Sequence, residues 1–212
     1  MKTSVMRTAI LFVLFCLLPV SGFTQNELTE DDKKELQERV KIKVDEFQQY
    51  LSDIVNTKLT QEQRKASISS ALALFIGKGE SYHVTNSYGE RENRLPVRMQ
   101  ISSLNTNSTR WLPMKKYLNN QYINVHRYGR VEIQSADVVR VDNINKVGDG
   151  KYQAVAYFCQ KYVAYRDGRR VYGPDITGKK VIVYISAIDT PAGTVWDAKL
   201  GDVYVTATKA GN

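Results

Sequence analysis

From Leu36 onward, apolar residues return every three or four positions: Leu36, Val40, Val44, Phe47, Leu51 and Ile54. That period predicts one long amphipathic helix over about residues 29–57, opened by Thr29 as N-cap with Glu30, Asp31 and Asp32 in its first turn. Thr60-Gln61-Glu62-Gln63 repeats the capping pattern, and Ile68, Ala71, Leu72 and Phe75 predict a second helix that stops at Gly77. Lys33, Lys34, Glu38, Lys41 and Lys43 fall between the apolar positions of the first helix and read as its solvated face. After Ser81 the period changes to two. Tyr82 to Thr85 and Val97 to Leu104 read as strands joined by the charged stretch Ser87 to Pro96, and Pro113 to Asn120 as a short helix ended by Asn119-Asn120. Arg130 to Asn145, Lys151 to Arg166, Lys179 to Ile188 and Thr194 to Thr208 are rich in Val, Ile, Tyr and Thr, with turn residues in every gap. They predict a four-stranded antiparallel meander.

Alternation within that meander puts Val155, Tyr157, Cys159 and Val163 on one face and Ala154, Ala156, Phe158 and Ala164 on the other. Both faces are apolar, and Lys179 to Ile188 repeats the pattern, so the central strands are expected to be covered on both sides. Two helices cover one face. A curled part of the sheet, a ligand or a second copy of the chain is left for the other, which makes a homodimer through the sheet one expectation. The predicted class is α+β: N-terminal helices on a curved antiparallel sheet of four to six strands.

The N-terminus carries a different pattern. Lys2 and Arg7 precede the apolar run Ala9 to Leu18, which Pro19-Val20-Ser21-Gly22 closes, in the layout of a cleavable secretory signal peptide. A run of about 10 apolar residues falls short of the roughly 20 needed to span a bilayer. Cys16 follows Phe15 inside the run, where a lipidation site would need a small residue before its cysteine. The expected organisation is a leader, residues 1–22, and one domain, residues 23–212, secreted or periplasmic without a membrane anchor.

Removing the leader changes two counts. The formal charge falls from +8 to +6, and of the two cysteines only Cys159 remains, so no internal disulfide is expected. Cys159 sits in an apolar strand without a neighbouring histidine or acid and reads as an inert thiol. His83 and His126 are far apart in sequence and neither has a partner at metal-ligand spacing, so no metal and no cofactor are expected. Asp142-Asn143-Ile144-Asn145 and Asp149 lack the calcium-loop pattern. Gly77-Lys78-Gly79 follows a helix where a phosphate loop needs a preceding strand, so it reads as a helix stop.

Two constellations remain. Asp137, which interrupts the apolar stretch Ala136 to Val141, and Tyr157, on a central strand, are the candidate acid and donor for proton transfer in a dry cavity. An acid at a strand kink and a tyrosine in a sheet are also ordinary structural features. Arg166, Arg169, Arg170, Tyr172, Lys179 and Lys180 surround one hairpin and make a candidate contact for a protein or glycan partner. Export argues against nucleic acid.

The order of two helices, a short hairpin region, a small helix and a long meander resembles the cone-shaped domains of the nuclear transport factor 2-like superfamily, often grouped with cystatin-like folds. The resemblance covers about Thr29 to Lys209 and includes the segment Ala71-Leu72-Ala73-Leu74-Phe75-Ile76-Gly77. Trp196-Asp197-Ala198-Lys199-Leu200-Gly201-Asp202-Val203 is similar to the closing strand of small exported bacterial members of unknown function. The resemblance implies a sheet wrapped around a long helix, a pocket at the open end of the cone and frequent dimers. It carries over no site residues, because neither segment is a catalytic motif, and members include enzymes, binding modules and secretion-system components. Without a catalytic constellation, the favoured expectation is an exported, non-enzymatic binding or interaction module. A small-ligand or proton-transfer pocket and a subunit of an envelope or secretion complex are the alternatives.

Overall fold

The computed structural model describes residues 27–85, 89–106, 108–191 and 193–211. The expected leader, residues 1–22, lies outside them. Helix α1 (Glu30–Val55) begins with a capping box, in which the Asp32 amide donates to the Thr29 hydroxyl and the Thr29 amide donates back to the Asp32 carboxylate. Its six predicted apolar positions are all buried, and Lys33 and Lys41 pair with Glu30 and Glu38 on the outer face. Helix α2 (Gln61–Ala73) is capped in the same way by Thr60 and Gln63. It ends at Ala73, short of the predicted stop, and Gly77 takes a φ of 70° in the 3-10 turn Ile76–Gly79 that follows. A Cβ there would lie 2.7 Å from the ring of Tyr82, so that turn needs glycine. Arg64 of α2 is buried and donates to the carbonyl of Ile54 at 2.7 Å and to that of Tyr122 at 3.1 Å, with its guanidinium 4.5 Å from the Tyr122 ring. One side chain thereby ties α1 and α2 to the residues 114–128 that form the next helix.

The predicted first hairpin is corrected. Strand β1 (Tyr82–Thr85) pairs with β2 (Arg91–Arg94), drawn from the stretch expected to be loop, in a separate two-stranded ribbon. Strand β3 (Arg98–Ser103) pairs instead with β4 (Ser108–Pro113) and lies parallel to the last strand. Helix α3 (Met114–Tyr128) runs well past Asn119-Asn120, because Met114, Tyr117, Leu118, Gln121 and Val125 form a continuous buried stripe and packing outweighs local propensity. Arg130 to Asn145 breaks into β5 (Arg130–Ser135) and β6 (Arg140–Val141), followed by β7 (Asn145–Gly148).

The long strands are β8 (Lys151–Arg166), β9 (Arg169–Thr190) and β10 (Gly193–Ala210). The meander β5-β8-β9-β10 forms in the predicted order, within an eight-stranded mixed sheet, β4-β3-β10-β9-β8-β5 with β6 and β7 also on β8. Among the described residues this is an α+β fold with three α-helices, its sheet wider than the four to six strands expected and carrying one parallel pair. Most of the turn-rich gap expected between Arg166 and Lys179, including Gly173-Pro174-Asp175, lies inside β9.

Among the described residues, helices cover one face of the sheet. Ala154, Ala156, Phe158, Val181, Val183, Ile185, Ala198, Leu200 and Val203 are buried beneath them, and Phe47 of α1 meets Phe75 and Phe158 edge-on at 5.0 and 6.3 Å. On the other face Val155, Tyr157, Cys159 and Ile182 are half-buried and Tyr184 and Ile188 exposed. The expectation of two covered faces is therefore not met within one chain.

Candidate functional site

Along the inward side of β9, every second residue faces the helices: Asp175, Thr177 and Lys179 first, then Val181, Val183 and Ile185. The switch from polar to apolar marks the end of the packed core. Beyond it, α3 stands away from the sheet and leaves an open-ended cavity of about 390 Å³. Its walls come from α3 (Tyr117, Gln121, Asn124, Tyr128), β3 (Ile101, Ser103), β8 (Gln160, Tyr162) and β9 (Tyr172, Asp175, Thr177, Lys179), with Arg110 and Arg127 also on its lining. The volume is within the range of small-molecule sites.

A shift in register between Tyr162 and Ala164 shapes one wall. Gly173 there has a φ of 74°, and a Cβ on it would collide with the Tyr162 carbonyl oxygen. The close approach brings the rings of Tyr162 and Tyr172 edge to face at 5.5 Å. Tyr172 donates to the Asp175 carboxylate at 2.8 Å and lies 3.0 Å from the Ser103 hydroxyl. Burial pushes the phenols of Tyr117, Tyr162 and Tyr172 up, so all three remain donors at neutral pH.

Two polar groups in the walls are unusual. Gln160 is 5% exposed, and its side-chain nitrogen has no partner among the described residues, an arrangement that costs about 1–3 kcal/mol when nothing occupies the donor. Lys179 is 4% exposed. Its ammonium donates to the Gln100 carbonyl at 3.0 Å and approaches the Met99 sulfur at 3.5 Å, and among the described residues no carboxylate pairs with it. Burial pushes the Lys179 amine down to about 7.

The structure divides the six residues expected to form one basic hairpin patch. Tyr172 and Lys179 line the cavity. Arg166, Arg169 and Arg170 are exposed around the β8–β9 turn, and Arg166 donates to the Arg127 carbonyl beside the cavity. Lys180 points to the opposite face, 5.4 Å from the Tyr204 ring, which itself meets Trp111 edge-on. Asp137 and Tyr157 are also outside the cavity. Asp137 is exposed and accepts from the Val138 amide, while Tyr157 sits on the open sheet face under the Arg140 guanidinium, 4.6 Å away. Hydrogen bonding to Asp142 pushes the Tyr157 phenol up. Cys159 is a free, half-buried thiol pushed up by burial, with Asp137 adding to the effect. Gln160, Tyr162 and Asp175 were not singled out from sequence, although their strand period matches that of the core residues next to them.

Among the described residues no three His, Cys, Asp or Glu side chains gather in a metal-binding group, and no helix is long and apolar enough to cross a membrane. No protein-family model and no curated protein matches the chain. Among solved structures, the crystal structure of the Kfla4162 protein from Kribbella flavida aligns over 83% of this chain and 95% of its own, with a TM-score of 0.29 and 10% identity.

Proposed function

We propose that this chain is an exported binding module that takes up a small, acceptor-rich, ring-bearing molecule in the cavity between α3 and strands β3, β8 and β9. The observation that carries this reading is Gln160, a buried residue in the wall of an open cavity of about 390 Å³ whose side-chain nitrogen has no partner among the described residues. Basic groups outnumber acidic ones on the lining: Lys179, Arg110 and Arg127, against the Asp175 carboxylate already engaged by Tyr172. A carboxylate or carbonyl group suits that balance, and the tyrosine rings suit a flat apolar body. The export reading rests on the leader-like residues 1–22, and the nuclear transport factor 2-like reading on the order of elements together with a cavity at the end of the helix-covered sheet.

The test is a titration of the mature chain with 4-hydroxybenzoate, followed by heteronuclear NMR. Shifts confined to cavity residues are expected, and substituting Gln160→Leu should weaken binding by about five-fold to ten-fold, the worth of one hydrogen bond. Shifts scattered over the surface would sink the proposal.

A second reading is favoured by the open sheet face, where Trp111, Tyr204, Tyr157 and the half-exposed Tyr184 lie uncovered by the helices. It is a homodimer formed through that face. Light scattering across a wide concentration range decides it, and a monomer throughout would exclude it.

A further inference from the structure

We infer that Lys179 is a carbonyl-capturing amine, which holds an aldehyde or ketone ligand as a reversible imine at the inner end of the cavity. The inference rests on the cavity being a ligand site and adds the chemical class of the ligand.

Four observations carry it. Lys179 belongs to the cavity wall and is almost wholly withdrawn from bulk water. Among the described residues no carboxylate pairs with it, so no opposite charge holds it as a permanent ammonium; its acceptors are a backbone carbonyl and a thioether. An anion-binding lysine has no need of so dry a setting, whereas a nucleophilic one gains from it. Finally, Gln160 is opposite Thr177, on the same sheet face and next to the Phe158–Lys179 pair. Diagonal neighbours of that kind are about 7–8 Å apart at the backbone, a span that one carbonyl-bearing ligand can bridge with its oxygen or a second acceptor on the unpartnered Gln160 nitrogen. In support, burial pushes the amine down to about 7, which leaves a large share unprotonated in neutral solution.

The chemistry balances without any redox partner. The Lys179 nitrogen lone pair attacks the carbonyl carbon and a C–N bond forms. The carbonyl π electrons move to oxygen, which takes up a proton as the nitrogen gives one up. The resulting carbinolamine then expels its hydroxyl as water while the C=N bond forms, and hydrolysis reverses every step.

The mature chain is incubated with 4-hydroxybenzaldehyde and cyanoborohydride at about pH 7, which reduces any imine to a secondary amine. Peptides are then mapped for a gain equal to the mass of the aldehyde less one oxygen. Lys179 is expected to label at least ten-fold faster than any other lysine, with Lys180 as internal control, since it adjoins Lys179 in sequence but faces the other way. Excess 4-hydroxybenzoate, which cannot form an imine, should protect Lys179 in the unaltered protein, and K179M should lose the fast label. Labelling of Lys180 as fast as that of Lys179 would overturn the inference. If the benzoate binds in the cavity while Lys179 stays unlabelled, the imine is wrong and the binding site stands. If the benzoate does not bind and Lys179 is not labelled, both are wrong.

Discussion

Replacing Lys179 by methionine should make the protein more stable, and by an amount that depends on pH. The amine is pushed from 10.5 down to about 7 by burial, and each unit corresponds to about 1.4 kcal/mol, so the folded state disfavours the ammonium by roughly 5 kcal/mol. At about pH 7 nearly all of that penalty is felt. Methionine removes it and loses one hydrogen bond to the Gln100 carbonyl, worth about 1 kcal/mol. Discounted for imperfect packing, a gain of about 2–3 kcal/mol remains, or roughly 5–10 °C in Tm for a domain of this size. Because the unfolded chain binds the lysine proton more tightly, the unaltered protein gains stability as pH rises from about 7 towards 10.5, and this group adds no slope below that window. The gap between variant and parent should therefore shrink by about 2 kcal/mol between pH 7 and 9, short of the range in which the cavity tyrosines ionise. Urea unfolding of both proteins at several pH values measures it, and taking the difference removes the contribution of every other titrating group. A variant that is less stable at pH 7, or a gap that does not change with pH, would refute the account of Lys179 as a desolvated, unpaired amine.

Three further outcomes are expected. Gly173→Ala should cost about 2–4 kcal/mol, since the new Cβ meets the Tyr162 carbonyl at a positive φ, and a thermal melt within 2 °C of the parent would contradict that collision. Arg64→Met should cost about 2 kcal/mol by leaving the Ile54 carbonyl at the end of α1 unmatched and removing the second hydrogen bond to the Tyr122 carbonyl, measured by denaturant midpoint. The pair Asp137→Asn and Tyr157→Phe should leave 4-hydroxybenzoate affinity within about two-fold, since neither side chain reaches the cavity; a ten-fold loss would restore them as site residues.

The helices were the most legible elements. In α1 a capping box and a three-to-four residue period agree, and local and tertiary preferences point the same way. In α3 they disagree: Asn119 is a poor helix former, yet a buried stripe on both sides of it carries the helix onward. The same conflict hid the first half of β9, whose Gly173-Pro174-Asp175 has turn composition but sits at a register shift in a strand of 22 residues. The cavity was legible only in part. Lys179 and Lys180 looked like one charged pair because they adjoin along the chain, whereas strand alternation sends one into the cavity and the other outside. Asp137 looked inward because it interrupts an apolar run, but that run is a bend between short strands and leaves the acid exposed. Cavities are made by elements distant in sequence, and no local pattern announced that α3 would stand off from β9.

The division along β9 also bears on how such a domain can diversify. The positions that line the cavity and those that hold the fold share one strand and one face, but they occupy separate stretches, Asp175 to Lys179 and Val181 to Ile185. Drift in the first stretch can alter what the cavity accepts while the second keeps the domain folded. Descendants of this chain could exchange ligands without rebuilding their core, so ligand preference should vary among them faster than architecture.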